Sequence, residues 1–416
     1  MRVILVPMGS SGDVLPFVAL GAELRRRGHD VRIIASPYFQ DVIAAEHLTL
    51  VPFGTREEYL AAARDPRIWD PRQGFRVIAD EFVAPQIEPM YAHVEGQIDG
   101  GNTVVVGSAL ALGARLAHDR LGVPFATVHL QPSMFRSLID PPNVGMRMPR
   151  SRLGRRALYW LIDLAAIDRY LRGPINRARR HLGLAPIRHV DPWWHSPQRI
   201  IGLFPEWFAP PAADWLPQTR LTGFPLADGR AARPLPDELR SWIDGGEAPV
   251  VFTFGSAMTH AHALFAASAA ACQRLGCRGV LLTPFREQIP ANLQADVRHF
   301  DYAPFGELFP RTRAVVHHGG IGTTSQALAA GCPQLIVPFT HDQPDNADRV
   351  RRLSAGAVLR PVDAAGDGIA HALGNLLSDA AIAQGARECA RRAAEDADAI
   401  PRACALVEAL GAEHAA

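Results

Sequence analysis

Short unbroken runs of apolar residues alternate along this chain with stretches in which apolar residues recur every three or four positions. The runs at 3–6, 31–35, 48–52, 103–106 and 125–128 read as strands, and the patterns at 15–27 and 109–121 read as helices between them. A strand that is apolar on both faces belongs in a sheet covered on both sides, so the alternation predicts a parallel sheet flanked by helices. The rhythm restarts at 249–254, 279–283, 314–316 and 334–337. Between the two series lies 223–236, rich in Pro, Gly and Ala, which predicts a linker. The expected architecture is α/β, with a first lobe over 1–225 and a second over 237–389.

Size and composition fit that division. With 416 residues, 48% of them hydrophobic, and a mean hydropathy of +0.00, the chain has material for two ordinary cores. Net charge is +1, from 43 basic against 42 acidic residues, which leaves no electrostatic footprint for nucleic acid. Every basic residue is arginine. The absence of lysine excludes a Walker A loop, a Schiff-base lysine and a lysine general base. Five cysteines, Cys272, Cys277, Cys332, Cys389 and Cys404, form no C-x-x-C pair and read as small buried residues of a reducing compartment. A strand begins at the amino terminus, and no run reaches the ~20 apolar residues of a spanning helix, so the expected location is the cytoplasm.

The candidate chemistry concentrates after the run at 314–316. His317-His318-Gly319-Gly320-Ile321-Gly322-Thr323-Thr324 places glycines where a strand hands over to a helix, a turn that aims N–H groups and a helix dipole at an anion. Glycine lets the backbone approach a ligand, Thr323 and Thr324 offer hydroxyls, and His318 can donate a hydrogen bond or a positive charge. Each donor suits a diphosphate. Gly331-Cys332-Pro333 then marks a helix-to-strand junction, and Asp342-Gln343 follows the next strand, on the ligand side of an open α/β sheet, where both can hydrogen-bond sugar hydroxyls. The glycines alone would equally suit an ordinary capped turn; the added spacing favours the binding site.

Tyr302-Ala303-Pro304, the 318–324 stretch, Gly331-Cys332-Pro333 and Asp342-Gln343 resemble the nucleotide-sugar signature of family 1 glycosyltransferases of GT-B fold. Gly9-Ser10-Ser11-Gly12-Asp13-Val14-Leu15-Pro16 resembles the amino-terminal motif of their sterol, glycopeptide-antibiotic and rhamnolipid branch. Segments such as Asp65-Pro66-Arg67-Ile68-Trp69-Asp70-Pro71 and Trp194-His195-Ser196-Pro197-Gln198 resemble most closely the rhamnosyltransferases of rhamnolipid synthesis. The resemblance implies two Rossmann-like lobes facing across a cleft, with 390–416 returning to the first lobe as a helix. It also implies an inverting transfer by single displacement, from a nucleotide-diphosphate sugar of the dTDP-L-rhamnose or UDP-glucose type to a lipophilic hydroxylated acceptor. That donor is a co-substrate, and no cofactor is implied.

Roles carry over residue by residue. Asp13 stands as the general base, although an aspartate there also suits a helix N-cap near Val14. Ser256 stands where the family binds phosphate, with an N-cap as the plainer reading. Tyr302 replaces a base-stacking tryptophan, or is simply a strand-end core tyrosine. Gln326 replaces a glutamate that holds the ribose and is a weaker anchor, which leans slightly toward a deoxyribose donor. His318, Gly320, Gly322, Thr323, Asp342 and Gln343 complete the expected donor site.

Metal binding is not expected, because adjacent histidines on a strand point to opposite faces and His317 with His318 cannot share an ion. Acceptor-binding residues are not identifiable, though aromatic residues from Trp69 to Trp207 can line a lipophilic pocket. The segment 150–180 sets arginines around an apolar stretch; a solvated basic face beside a packed one is the expected case, and peripheral contact with anionic lipid the alternative. A non-catalytic partner protein, a nucleotide-sugar epimerase and a nicotinamide oxidoreductase are the competing functions. The last would need G-x-G-x-x-G after its first strand, which 9–12 lacks.

Overall fold

The computed structural model describes residues 1–228, 234–255, 258 and 260–415. The chain divides into two compact units. The first comprises Met1–Gly9, Asp13–Pro225 and Asp398–Ala416, and the second Leu226–Ala397 with Ser10–Gly12.

Seven parallel strands form the sheet of the first unit: β1 (Arg2–Val6), β2 (Asp30–Ala35), β3 (Thr49–Pro52), β4 (Thr103–Ser108), β5 (Phe125–His129), β6 (Arg199–Gly202) and β7 (Thr219–Leu221). Their order is β3-β2-β1-β4-β5-β6-β7, so the sequence runs outward from β1 in one direction and then resumes at β4 in the other. Val3, Ile4, Leu5 and Val6 are fully buried, as are Val105 and Val106 beside them. Each such side chain contributes about 1.5–3 kcal/mol on burial, which explains why the central strands were legible as apolar runs. The sequence reading missed β6 and β7. Thr219–Leu221 is an edge strand of three residues with no buried position, and too short to show a period.

The second unit repeats the plan with six parallel strands: β8 (Val250–Thr253), β9 (Gly279–Leu282), β10 (Val297–Phe300), β11 (Ala314–His317), β12 (Gln334–Ile336) and β13 (Gly356–Val358), ordered β10-β9-β8-β11-β12-β13. Strand order reverses between β1 and β4 in one sheet and between β8 and β11 in the other. Open parallel sheets bind ligands beyond the carboxyl ends of the strands at such a reversal. Both candidate motifs, after β1 and after β11, directly follow a strand at that point.

The last helix, Ala399–Ala415, belongs to the first unit. It packs on β4, β5 and β6, and Glu408 bridges to Arg27 at 2.9 Å and to His29 at 2.9 Å. The preceding helix, Ala380–Glu395, packs instead on Ile321–Ala329 in the second unit, so the return begins at Asp398 and not at 390. Gly385 lets this helix also approach the 353–354 turn closely, since a Cβ there would stand 2.2 Å from the Ser354 carbonyl oxygen.

Candidate active site

The second unit holds the donor-type motif. The helix after β11 runs Ile321–Ala329, with Gly320 as its N-cap and no side chain capping it. First-turn N–H groups lack intrahelical acceptors. One of them, Ile321 N–H, donates to Asp342 Oδ2 at 3.2 Å; those of Gly322 and Thr323 have no acceptor within the helix. Gly319 enables the turn: its φ is +94°, and a Cβ would stand 2.8 Å from Ile336 Cγ2.

His318 is packed against glycine. A Cβ on Gly320 would stand 2.6 Å from its Nε2, and one on Gly255 3.1 Å from the same atom. The two glycines therefore keep side chains away from that edge of the ring. Burial, and then the neighbouring His341, holds the imidazole down to about 4. Desolvation thus disfavours the positive charge also considered for it, and hydrogen bonding is the role that this burial favours at neutral pH. His318 Nδ1, Thr324 Oγ1 and Gln326 Nε2 are buried with no partner among the described residues. A buried polar atom without a partner costs about 1–3 kcal/mol, so three of them on the glycine turn and the helix that follows it make this segment the candidate site for a polar ligand.

His317 does different work. Its Nε2 lies 3.0 Å from Gln334 Oε1, and its Nδ1 accepts from Gly319 N–H at 3.1 Å, so the ring braces the turn from the β12 side. Burial, followed by His318, pushes it to about 3. The two rings are perpendicular, 6.3 Å apart. Among the described residues no group of three His, Cys, Asp or Glu is placed to hold a metal ion.

Asp342 precedes the helix Gln343–Arg352, after His341, whose left-handed φ of 61° turns the chain there. Its carboxylate accepts from Asn346 Nδ2 at 2.6 Å as well as from Ile321, which ties the two helix starts together. Gln343 is buried, and its Oε1 accepts from Phe339 N–H at 2.8 Å and Thr340 N–H at 3.2 Å, so the amide oxygen closes this turn and only the amide nitrogen is left for a sugar hydroxyl. Tyr302 lies at the end of β10, its hydroxyl donating to the Asp228 carbonyl; that bond fixes the ring, a restraint the sequence did not disclose. Ser256 lies outside the described residues. Two residues of this site escaped the sequence reading. Gly255 walls His318, and Asn346, four positions after Asp342 on one helix face, donates to Gly319 O at 2.9 Å and leaves Oδ1 without a partner.

In the first unit the helix after β1 begins at Ser11, so Asp13 sits inside its first turn and is not the N-cap expected near Val14. A carboxylate there is favoured by the helix dipole, by about 0.3–1 kcal/mol at exposed sites. Gly9 has φ +130°, and a Cβ on it would stand 2.2 Å from Asp13 Oδ2. The carboxylate therefore folds back over the β1 turn, into space that only glycine leaves open. Tyr59 is close enough to feel it: burial, then Tyr38, then the Asp13 charge raise the Tyr59 hydroxyl. Tyr59 stacks on Tyr38 at 4.4 Å, an aromatic pair that the sequence reading also missed. His129, at the end of β5, is sealed at 2% exposure, bonded to His195 at 3.0 Å, and pushed well below the ordinary histidine value by burial. It is not placed to receive a substrate proton.

Comparison with known proteins agrees with this geometry. Residues 3–139 match the glycosyltransferase family 28 N-terminal domain, and 281–412 match the erythromycin biosynthesis protein CIII-like C-terminal domain. O-mycaminosyltylonolide 6-deoxyallosyltransferase of Streptomyces fradiae is 30% identical over 98% of this chain and 97% of its own. Vancomycin aglycone glucosyltransferase of Amycolatopsis orientalis is 30% identical over 86% of this chain and 85% of its own. Among solved structures, spinosyn rhamnosyltransferase SpnG complexed with thymidine diphosphate superposes with a TM-score of 0.69 at 19% identity, covering 99% of this chain and 100% of that one. These relatives are named for antibiotic acceptors and not for rhamnolipids. Two parallel Rossmann-like sheets, a glycine-walled polar turn at the reversal point of the second, and likeness along nearly the full length lead to one assignment: the chain belongs to the GT-B glycosyltransferases.

Proposed function

We propose that the protein is an inverting, metal-independent hexosyltransferase that uses a nucleotide-diphosphate sugar, of the dTDP-L-rhamnose or UDP-glucose type, and a lipophilic small-molecule alcohol. The observation that carries the donor half is the group of partnerless atoms on His318, Thr324 and Gln326 around the helix start at 320–322. A diphosphate meets unpaired N–H groups there, and the helix dipole stabilises the charge that grows on it as it leaves.

In the proposed reaction the acceptor oxygen attacks the anomeric carbon. The new C–O bond forms as the bond to the diphosphate breaks, and the hydroxyl proton passes to the Asp13 carboxylate. One displacement inverts the anomeric centre. The electrophilic role that a cation plays elsewhere falls to helix N–H groups and to the neutral His318.

For the acceptor, a hydroxy fatty acid ester of the rhamnolipid type is the first reading, supported by the segments at 65–71 and 194–198. A polyketide or glycopeptide aglycone is the second, supported by the names of the relatives. Purified protein is to be offered dTDP-rhamnose, UDP-glucose and related donors, each with a medium-chain hydroxy-lipid, a macrolide aglycone and a glycopeptide aglycone, with nucleoside diphosphate release and product mass scored. Release with the lipid alone supports the first reading, and release with an aglycone alone replaces it by the second. No release from any pair would refute the transferase assignment in favour of a non-catalytic or epimerase role.

A further inference from the structure

The helix Arg152–Ile162 is inverted relative to an ordinary surface helix. Its polar side is the attached one. Arg155 donates to the carbonyls of Pro149, Leu138 and Ile139 at 2.9, 2.7 and 3.0 Å, and the Tyr159 hydroxyl donates to Ser137 O at 3.1 Å. At the carboxyl end Arg136 pairs with Asp163. None of the residues of Arg152–Ile162 is buried.

The apolar side faces solvent. Leu153, Trp160, Leu161 and Leu164 are 78, 57, 51 and 54% exposed, and with Ala157 they fall at 153, 157, 160, 161 and 164, one stripe of a 3.6-residue helix. Ile139, 43% exposed, extends it beside a recess of 360 Å³ lined by Leu138, Ile139, Arg152, Leu153, Arg156 and Asp214. The sequence expectation of a packed apolar face holds only farther on, where Ile167, Leu171 and Ile175 are buried. Large apolar side chains left outward in a contiguous stripe mark a binding surface.

Charge selects the occupant. Arg152 and Arg156 flank Leu153, both exposed and without an ion pair among the described residues, and Arg147 and Arg150 lie just before them in the chain, also exposed. The stripe itself contains no acidic residue. Asp214, which lines the recess, already accepts from Ser137 Oγ at 2.7 Å and Leu138 N–H at 2.6 Å, so this face in a second copy would bring mainly further arginines against those of the first. An anionic bilayer satisfies both features at once, taking leucine and tryptophan into the interface while arginine reaches the phosphates. We infer that the 152–164 helix is a docking surface for an anionic lipid membrane.

Co-sedimentation of the full chain with vesicles of phosphatidylcholine, alone or mixed with phosphatidylglycerol, tests this. The chain is expected to sediment with the mixed vesicles and about tenfold more weakly with phosphatidylcholine alone. Arg152→Glu with Arg156→Glu, and separately Trp160→Ser with Leu164→Ser, are each expected to weaken the binding by about tenfold. Circular dichroism and thermal melting of each variant serve as the folding control and are expected to match the parent. No sedimentation, equal sedimentation with neutral vesicles, or variants that bind like the parent would overturn the inference. So would a concentration-dependent dimer that Trp160→Ser abolishes, since the face would then be an interface between copies. None of these outcomes depends on sugar transfer.

Discussion

Two strand-to-helix turns of this molecule share one backbone device and differ in what the first helical turn carries. After β1, Gly9 takes φ +130° and the helix opens with Asp13 in its first turn. After β11, Gly319 takes φ +94° and the helix opens with no acidic residue at all, but with glycine, threonine and a buried histidine beside it. Both turns sit where the strand order of their sheet reverses, and both present N–H groups at a helix start. In the first, a carboxylate carried by the helix itself occupies that positive end, and it is this carboxylate that we propose as the base. In the second the helix brings no carboxylate of its own: Asp342, from the next helix start, takes the Ile321 N–H at 3.2 Å, while the N–H groups of Gly322 and Thr323 have no acceptor within the helix, and His318 Nδ1, Thr324 Oγ1 and Gln326 Nε2 have no partner among the described residues. One backbone geometry is thus compatible with the proposed base and with the proposed anion cradle, and the two helices differ in the side chain at the third helical position, Asp13 in one and Thr323 in the other.

The most severe way to break this comparison is to neutralise the base. Asp13→Asn keeps shape and helix start but cannot accept a proton, so transfer is expected to fall by about 10²–10⁴. Nucleoside diphosphate affinity is expected to stay at the parental value by calorimetry. Near-parental turnover would sink the catalytic role of Asp13.

Gly9→Ala sharpens the same half. The new Cβ would stand 2.2 Å from Asp13 Oδ2 and must displace it; a carboxylate moved by about an ångström is expected to lose about 10² in turnover, again with donor binding intact. Steady-state kinetics separates this from a loss of affinity.

On the other side, Gly320→Ala puts a Cβ 2.6 Å from His318 Nε2. The N-cap φ of −60° is open to alanine, so the effect is steric, a push on the Nε2 side of the ring that shifts His318 within the proposed site. Diphosphate binding is expected to weaken about tenfold, or 1.4 kcal/mol.

Removing the imidazole has a smaller effect. His318→Ala is expected to weaken diphosphate binding by about 0.5–1.5 kcal/mol, the worth of one neutral hydrogen bond, and equal affinity would exclude His318 from the site. The same residue has a signature in stability. Its folded value of about 4 lies below the ordinary 6.5, so the unfolded chain binds a proton that the folded one refuses. Stability is therefore expected to fall as pH drops from 6.5 toward 4. Thermal melts across that window are expected to decline less steeply in His318→Ala.

The least effect is expected from chelation. If helix N–H groups and His318 serve the leaving diphosphate, transfer should be unchanged in excess EDTA. Activity lost to EDTA and restored by magnesium or manganese would overturn the metal-independent reading.

Much of the architecture was legible in the sequence, because strands buried on both faces must be continuously apolar: β1, β2, β4, β5, β8, β9, β11 and β12 all coincide with such runs. The edge strands β7, β10 and β13 did not announce themselves, since an edge strand is short and partly solvated, and β6, an interior strand of four residues, was too short to show a period. The glycine turns were legible too, as were Asp13, His318, Gly320 and the Asp342 region, because a ligand that needs close backbone approach demands glycine at fixed spacing from a strand.

What the sequence could not supply was the state and orientation of those groups. That His318 is neutral depends on how completely the tertiary structure excludes water from it. Gln343 looked like a sugar-binding amide, but its oxygen closes the turn at 339–343. Asp13 looked like an N-cap or a base, and the helix start at Ser11 removed the first choice. The stripe of Leu153, Trp160, Leu161 and Leu164 has the period of a packed helix face, and only the folded molecule shows that it points outward. Periodicity fixes which residues share a face, whereas the direction of that face and the water around a side chain depend on contacts between residues distant in the chain.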